Sequence, residues 1–297
     1  MTMREQAMAT VVELFDRDED VAVVMADISL DYLRPTVERD PRRAINVGIM
    51  EQSAVGVAAG LALEGFHPIV HTLAPFLAER PLEQIKLDFG YQGLGGLFVS
   101  AGASYDYGES GGTHHAGGDV QALGSVPRME VLLPGTPRET DALVRASYAN
   151  GAPTYLRTST VENDRPVELA PNGLTVVRRG PELTVIAAGP FLSRAIAALD
   201  GLDATVLYAT TLVPLDAETL AREAAPAAEV VLVEPVYEGT TAAQVSAALA
   251  HRPTRLLSIG VPRRFIKHYG TSAQHDAELG LDVQGIRDRI LAFTRSA

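Results

Sequence analysis

Residues 46–65 have the sequence NVGIMEQSAVGVAAGLALEG, and the expected fold follows from this stretch. The spacing of apolar residues after Met50 predicts a helix over Glu51–Leu63. Small residues such as Ala54 and Ala58 would let another backbone or a flat ligand pack closely against that helix. The stretch therefore predicts a strand-to-helix turn with Glu51 at the start of the helix, where a carboxylate meets the partly positive helix end.

Short apolar runs alternate with longer amphipathic stretches on both sides of this turn. An amphipathic helix is predicted within Met1–Arg17. Further helices are predicted over Arg80–Asp88 and Pro137–Tyr148. The predicted strands are Val21–Ala26, His67–His71, Leu97–Ser100, Glu130–Leu133 and Thr154–Leu156. This alternation indicates an α/β domain with a parallel sheet and helices on both faces.

A second α/β pattern follows a polar segment. Residues Thr160–Gly173 are rich in Glu, Asn, Asp, Pro and Gly, which indicates an exposed linker. Beyond it, strands are predicted at Leu183–Ala187, Ala204–Tyr208, Val230–Val233 and Arg255–Ile259, and helices at Leu192–Leu199, Ala217–Ala224 and Thr240–Ala250. We expect a domain at residues 1–165, a linker at 166–175 and a smaller α/β domain at 176–297.

Composition excludes several functional classes. The chain has 297 residues and a formal net charge of −12, which disfavours binding to a nucleic acid backbone. It has no cysteine, which excludes a thiolate nucleophile and a cysteine-ligated metal site. No apolar run approaches the roughly 18 to 20 residues that span a bilayer, so a cytoplasmic protein without membrane contact is expected.

Glu51 is the first candidate for chemistry. It could be an ordinary surface charge at a helix start. If the small-residue face of the helix is buried, however, the carboxylate lies near that buried face and needs a partner.

A glycine-rich segment, Tyr107–Gly118, contains the second set of candidates, Ser110, His114 and His115. Glycines allow a backbone to approach a ligand, and a neutral imidazole can donate or accept a proton near neutral pH. Adjacent histidines point apart in an extended chain, and no carboxylate stands at a fitting spacing, so no metal site is assigned. A mobile surface loop is the alternative.

Two segments of the second domain are less specific. Glu234–Thr240 follows an apolar strand and enters a helix, a position where α/β sheets bind ligands, although a plain turn with a capped helix explains it as well. Basic residues cluster at Arg263, Arg264, Lys267, His268 and His275. This cluster could bind an anionic substrate or an acidic partner, or it could be a solvated basic face.

The motifs occur in the order seen in one enzyme family. Residues 46–52, NVGIMEQ, together with AAGLALEG at 58–65, closely resemble the thiamine-diphosphate enzymes of the transketolase family. TLAPFL at 72–77, GGTH at 111–114 and PTYLR at 153–157 resemble later landmarks of the same family. The segment Leu183–Gly189 and those after it are similar to the family's C-terminal domain.

The resemblance implies a pyrimidine-binding domain followed by a transketolase C-terminal-like domain. The family's diphosphate-binding domain has no counterpart in the sequence. The resemblance therefore implies the C-terminal, beta-type subunit of a two-component transferase. Thiamine diphosphate would lie at an interface of an α2β2 heterotetramer, with its diphosphate and Mg²⁺ held mainly by an N-terminal, diphosphate-binding partner subunit. The enzyme would transfer a two-carbon ketol or acyl unit from a ketose phosphate, pyruvate or a related donor to an aldehyde.

The alternatives are the beta subunit of a 2-oxoacid decarboxylating dehydrogenase component and a catalytically degenerate regulatory subunit.

The same resemblance assigns the cofactor-binding residues. Glu51 would hydrogen-bond the pyrimidine N1′ and act as a catalytic group. Phe76 would stack on the aminopyrimidine. Asp27 and Ile49 would lie beside the cofactor.

Substrate-side residues are also implied by the resemblance. His114 would be catalytic as a donor or proton relay, while His115, Arg157 and Ser110 would bind substrate. Transketolases have a His and an Asp where this chain has Gly102 and Ser110. Because the ketose hydroxyls would lose these partners, an unusual donor is expected.

Overall fold

The computed structural model describes residues 1–295, which divide into two compact units. The amino-terminal unit comprises Met1–Ala103 and Asp119–Thr160. The carboxy-terminal unit comprises Ser104–Gly118 and the chain from Val161 onward. The glycine-rich segment therefore belongs to the second unit, although it lies within the first predicted domain in sequence.

The amino-terminal unit is built on parallel strands. The strands are β1 (Val21–Met25), β2 (Ala44–Asn46), β3 (His67–Leu73), β4 (Gly96–Ala101), β5 (Glu130–Leu132) and β6 (Pro153–Arg157). They are ordered β5-β6-β4-β3-β1-β2, and each of these neighbouring pairs is parallel, as the alternation predicted. Every residue of β1, β4 and β6 is buried, which explains why the sequences of β1 and β4 are nearly continuous apolar runs.

Helices flank this sheet. They are α1 (Met3–Arg17), α2 (Leu30–Arg39), α3 (Glu51–Leu63), α4 (Ala74–Ala78), α5 (Leu82–Gln84), α6 (Asp119–Leu123) and α7 (Pro137–Ser147). The prediction of α3 is confirmed at both ends. The prediction of one helix over Arg80–Asp88 was wrong: the short α5 is followed by a π-helical stretch at Ile85–Tyr91. Pro81 explains the later start, because a residue preceding proline is disfavoured in helical conformation.

The carboxy-terminal unit has a mixed sheet. The strands of this sheet are β7 (Leu174–Pro181), β8 (Leu183–Ala188), β9 (Ala204–Ala209), β11 (Glu229–Tyr237) and β12 (Arg255–Val261), and a short strand, β10 (Thr211–Val213), lies outside it. The helices of the unit are α8 (Leu192–Ala198), α9 (Ala217–Glu223), α10 (Ala242–Ala248), α11 (Ser272–Leu279) and α12 (Val283–Arg295). The order is β12-β11-β8-β9-β7, and only the edge strand β7 among these five is antiparallel to its neighbour. The fold class, two α/β domains, is as predicted. Within residues 1–295, no helix has both the length and the apolar character needed to cross a membrane.

His71 is a fully buried imidazole within the amino-terminal sheet. Its Nδ1 lies 2.7 Å from the carbonyl oxygen of Val99, and its Nε2 lies 2.7 Å from Oγ of Ser29. Because a carbonyl only accepts, the proton is assigned to Nδ1, and the Ser29 hydroxyl donates to Nε2. Burial lowers the pKa of His71 to about 4, since a charged imidazole would lose its hydration.

This burial predicts a pH dependence of stability. Between pH of about 6.5 and 4, the unfolded chain takes up a proton at residue 71 that the folded chain does not bind. His71 alone should therefore lower the free energy of unfolding by about 1.4 kcal/mol per unit as the pH falls through this window. Urea unfolding at a series of pH values measures this effect. The free energy of unfolding of His71→Gln should depend less steeply on pH than that of the unmodified chain, whereas the exposed-site control His251→Gln should show the same pH dependence as the unmodified chain. An equally steep pH dependence for His71→Gln and the unmodified chain would contradict this account.

Candidate active site

The carboxyl edge of the amino-terminal sheet collects the predicted cofactor residues. Parallel strands end at the same edge, which is where α/β sheets bind ligands. Asp27 follows β1, and Asn46 ends β2. Phe76 lies on α4, which begins directly after β3, and Glu51 begins α3 a few residues after β2.

A hydrogen-bonded turn fixes the approach to Glu51. The Asn46 side-chain oxygen accepts from the backbone N–H of Asp27 at 3.0 Å and of Gly48 at 3.0 Å. The Asn46 amide nitrogen donates to the Asp27 carboxylate at 3.2 Å. Gly48 has a φ of 73°, a conformation that glycine adopts without strain. The turn leaves the next residue, Ile49, 71% exposed, so an apolar side chain faces outward immediately before the helix.

Glu51 is only 2% exposed, which answers the question that its sequence position left open. Its carboxylate accepts a hydrogen bond from Nη1 of Arg80 at 2.7 Å. Its position at the first turn of α3 adds the favourable field of the helix end. Burial of the carboxylate is therefore compensated, and its partner is a residue that the sequence had not identified.

Arg80 also contacts the predicted stacking residue. Its guanidinium carbon lies 4.3 Å from the centre of the Phe76 ring, a cation–π distance. One side chain thus links the carboxylate of Glu51 to the aromatic face of Phe76. The Arg80 side chain is 39% exposed, so it forms a boundary between the buried carboxylate and solvent.

Arg157 has a different environment from the one its predicted substrate role suggests. It is buried, and its Nε donates to the fully buried Asp119 at 2.6 Å. The Tyr155 hydroxyl donates to the same Asp119 oxygen at 2.9 Å, and burial raises the pKa of Tyr155 well above its usual value, with the Asp119 charge adding to the effect. The Asp119 carboxylate therefore already serves as the anionic partner of Arg157. A substrate-binding role for Arg157 stays a prediction.

The remaining predicted residues belong to the carboxy-terminal unit. Ser110 is exposed at the end of a short 3₁₀ turn, and His114 ends the next one with its Nδ1 2.9 Å from Oγ1 of Thr113. His115 is half-buried, and this burial lowers its pKa, with neighbouring imidazoles contributing. The structure thus groups Asp27, Ile49, Glu51 and Phe76 in one unit, whereas Ser110, His114 and His115 are part of the other.

Two family descriptions match the chain. Residues 1–163 match the transketolase pyrimidine binding domain, and residues 173–286 match the transketolase C-terminal domain. The chain belongs to the transketolase family. The strand-to-helix turn at Glu51 lies within the first of these matches.

Individual relatives of this transketolase-family chain cover nearly its full length. An uncharacterized 33.6 kDa protein in the fasciation locus of Rhodococcoides fascians is 43% identical over 94% of this chain and 90% of the relative. A subunit of the apulose-4-phosphate transketolase of Phocaeicola vulgatus is 30% identical over 98% of this chain and 97% of the relative. A solved split-gene transketolase, described as an inactive beta4 tetramer, superposes with a TM-score of 0.85 at 25% identity, covering 98% of this chain and 97% of that one.

The ion pair of Glu51 generates a stability prediction. Arg80→Gln should lower the free energy of unfolding by about 1–2 kcal/mol, because it leaves a buried carboxylate without its charge partner while partial exposure of the site screens the loss. In a Glu51→Gln background the same change should cost less, since no buried charge remains.

Urea unfolding of the four chains in a double-mutant cycle measures this coupling. Arg34→Gln, which removes an exposed pair with Asp31, is the matched control and should change stability by less than about 0.5 kcal/mol. An equal cost of Arg80→Gln in both backgrounds would show that the pair does not stabilise the fold.

Proposed function

We propose that this chain is the beta-type subunit of a two-component, thiamine-diphosphate-dependent transketolase-like enzyme. In this proposal it transfers a two-carbon ketol or acyl unit and works only with a partner subunit that binds the diphosphate and Mg²⁺. The observation that carries the proposal is the buried Glu51 carboxylate at the start of α3, paired by Arg80 beside Phe76. The end-to-end match to a relative named as one subunit of a transketolase supports the two-component form.

The residues at the sheet edge fit the aminopyrimidine ring of the cofactor. Such a ring needs a flat apolar contact and a group that exchanges a proton with a ring nitrogen. Phe76 and the exposed Ile49 offer the first, and Glu51 offers the second. Asp27, held by Asn46 at the same edge, is the polar residue beside it.

The bound cofactor would supply the nucleophilic carbon that accepts the two-carbon unit. This chain would contribute in two ways: it would control the proton at the ring nitrogen of the cofactor, and it would position the carboxylate that exchanges that proton. Glu51 would hold a proton at the ring nitrogen, and its enclosed position would keep water from competing for that proton. Arg80 would position Glu51 through the ion pair, and His114 would donate a hydrogen bond or relay a proton on the substrate side.

The donor is proposed at the level of chemical class. A ketose phosphate is favoured because one relative is named for apulose 4-phosphate. Gly102 and Ser110 replace a His and an Asp that the family uses for ketose hydroxyls, so the hydroxyl pattern of the donor would differ from that of common sugar phosphates. Pyruvate remains the second donor class to be tested.

Binding of the cofactor tests the two-component form directly. Titration calorimetry with thiamine diphosphate and Mg²⁺ should give no saturable binding to the purified chain and clear binding to the chain co-purified with the product of a neighbouring gene. The solved split-gene relative described as an inactive beta4 tetramer leads us to expect that this chain alone is also inactive. Tight binding by the chain alone would contradict the need for a partner, and no binding by a verified complex would favour a regulatory subunit.

Substitution at Glu51 tests the chemistry. In the assembled enzyme, Glu51→Gln should lower kcat by roughly 10²- to 10⁴-fold, because an amide cannot exchange the proton that the carboxylate exchanges. Glu64→Gln, at the exposed end of the same helix, is the control and should leave kcat unchanged. Turnover is measured with ketose phosphates and an aldehyde acceptor, and dye reduction with a 2-oxoacid is measured in parallel. Near-normal turnover of a correctly assembled Glu51→Gln enzyme would contradict the proposed role of Glu51 in proton exchange.

A further inference from the structure

Two histidines and a glutamate meet at one side of α11, within the carboxy-terminal unit. His275 and Glu278 lie on this helix three residues apart, a spacing that puts both side chains on one face. His268 lies on the segment before the helix. One ligand atom from each of the three side chains lies within 4.8 Å of the others. The Nε2 of His268 and a carboxylate oxygen of Glu278 are already 2.6 Å apart.

His275 is the unusual member of this group. It is 0% exposed, and neither of its ring nitrogens has a hydrogen-bond partner within residues 1–295. A buried imidazole carries at least one strongly polar nitrogen, so lack of a partner is costly. A bound cation is a partner that the cluster itself could hold.

A third imidazole extends the group. The ring centre of His115 lies 6.0 Å from that of His275, while the ring centre of His268 lies 4.9 Å from it. The Nε2 of His115 is also buried without a partner in the described part of the chain. His115 thus lies beside the cluster of His268, His275 and Glu278, although its ring nitrogens are not within 4.8 Å of the ligand atoms of all three.

Burial favours the neutral form of two imidazoles, those of His275 and His115. Burial lowers the pKa of His275, and the neighbouring His268 lowers it further, while Glu278 and Asp276 oppose the shift. Burial and the surrounding imidazoles likewise lower the pKa of His115.

We propose that His268, His275 and Glu278 form a binding site for a divalent transition-metal ion of the zinc class, and that His115 becomes a fourth ligand when its ring moves toward the bound ion. Two histidines and a carboxylate are a donor set that zinc accepts in proteins. The proposal is independent of the cofactor site, since it concerns residues of the carboxy-terminal unit alone. It also differs from the proposed Mg²⁺ site, because Mg²⁺ prefers oxygen ligands.

The side chains of the cluster can move to the distances that a zinc ion requires. Zinc–nitrogen bonds of about 2.0–2.1 Å require ligand atoms roughly 3.4 Å apart in a tetrahedral site. His268 and Glu278 are each about half exposed and can move, whereas α11 is held by a capping box from Thr271 and Gln274. Arg264 approaches the second oxygen of Glu278 at 4.0 Å, but its exposed side chain can turn into solvent.

The ion would tie α11 to the glycine-rich segment that carries Ser110 and His114. The backbone N–H of Gly270 already donates to the carbonyl of Gly108 at 3.3 Å. Gly108 packs so tightly that a Cβ there would lie 2.7 Å from Nε2 of His275. A metal bridge through His115 would therefore stiffen this segment, so the site would be structural or regulatory in character.

Zinc binding to the untagged, metal-free chain tests the site, measured by competition with a chromophoric chelator. We expect one Zn²⁺ per chain with a dissociation constant below about 10 μM, and Co²⁺ should give the visible absorption of a tetrahedral complex. His268→Asn and Glu278→Gln, both at half-exposed positions, and His275→Gln should each weaken binding at least about tenfold. The exposed-site controls His251→Gln and Glu64→Gln should bind as the unmodified chain does.

Two outcomes would overturn the proposal. One is a folded chain, verified by circular dichroism, that binds no Zn²⁺ at concentrations up to about 100 μM. The other is unchanged affinity in both His268→Asn and Glu278→Gln, which do not depend on refolding of the core around residue 275. Because neither measurement uses thiamine diphosphate or a partner subunit, failure here is distinguishable from failure of the proposed function.

Discussion

The buried carboxylate of Glu51 imposes the main constraint on the candidate site. A carboxylate removed from water requires compensating charge, and the amino-terminal unit supplies it from two directions. The start of α3 contributes its positive end, and Arg80 contributes a guanidinium. Because Arg80 also lies over Phe76, the charge partner fixes the aromatic ring relative to the carboxylate. The other residues of the site are brought together because the parallel strands end at the same edge of the sheet. Asp27 and Asn46 therefore lie within hydrogen-bond distance of each other.

Much of this arrangement could be predicted from the sequence, because the long buried strands are apolar runs and α3 has helical spacing. Three of the elements that were missed lack such signals, whereas α11, with its capping box, and the amphipathic α12 were missed although they have them. β2 has only three residues, α2 contains Pro35 and has no side-chain cap from its N-cap residue Ser29, and the edge strand β7 exposes Arg178 and Arg179. Arg80 was missed as a site residue for another reason. It lies 29 residues from Glu51, and no local pattern links two positions that only the folded sheet brings together.

Two of the ion pairs in the amino-terminal unit have opposite properties. Asp119 and Arg157 are both buried, and Tyr155 completes the pair, so this network is closed and its groups are engaged with one another. Glu51 has a partner that is 39% exposed, so one side of the pair borders solvent. A closed pair stabilises a structure but has little capacity to exchange protons, whereas a pair with one exposed member can accept a ligand in place of its partner. This difference, and not charge alone, supports the proposal that Glu51 is the group that exchanges a proton.

The many glycines of the segment Tyr107–Gly118 can be explained either by the close approach of a ligand or by packing within the unit. Its glycines predicted close approach of a ligand, but three of them lie against side chains of their own unit. A Cβ on Gly108 would come within 2.7 Å of His275, one on Gly111 within 2.7 Å of Tyr269, and one on Gly117 within 2.7 Å of Tyr237. These glycines are therefore required by packing whether or not a ligand binds. The chemical capacity of the segment then depends on its polar side chains, Ser110, His114 and His115, which the packed glycines hold in a defined backbone.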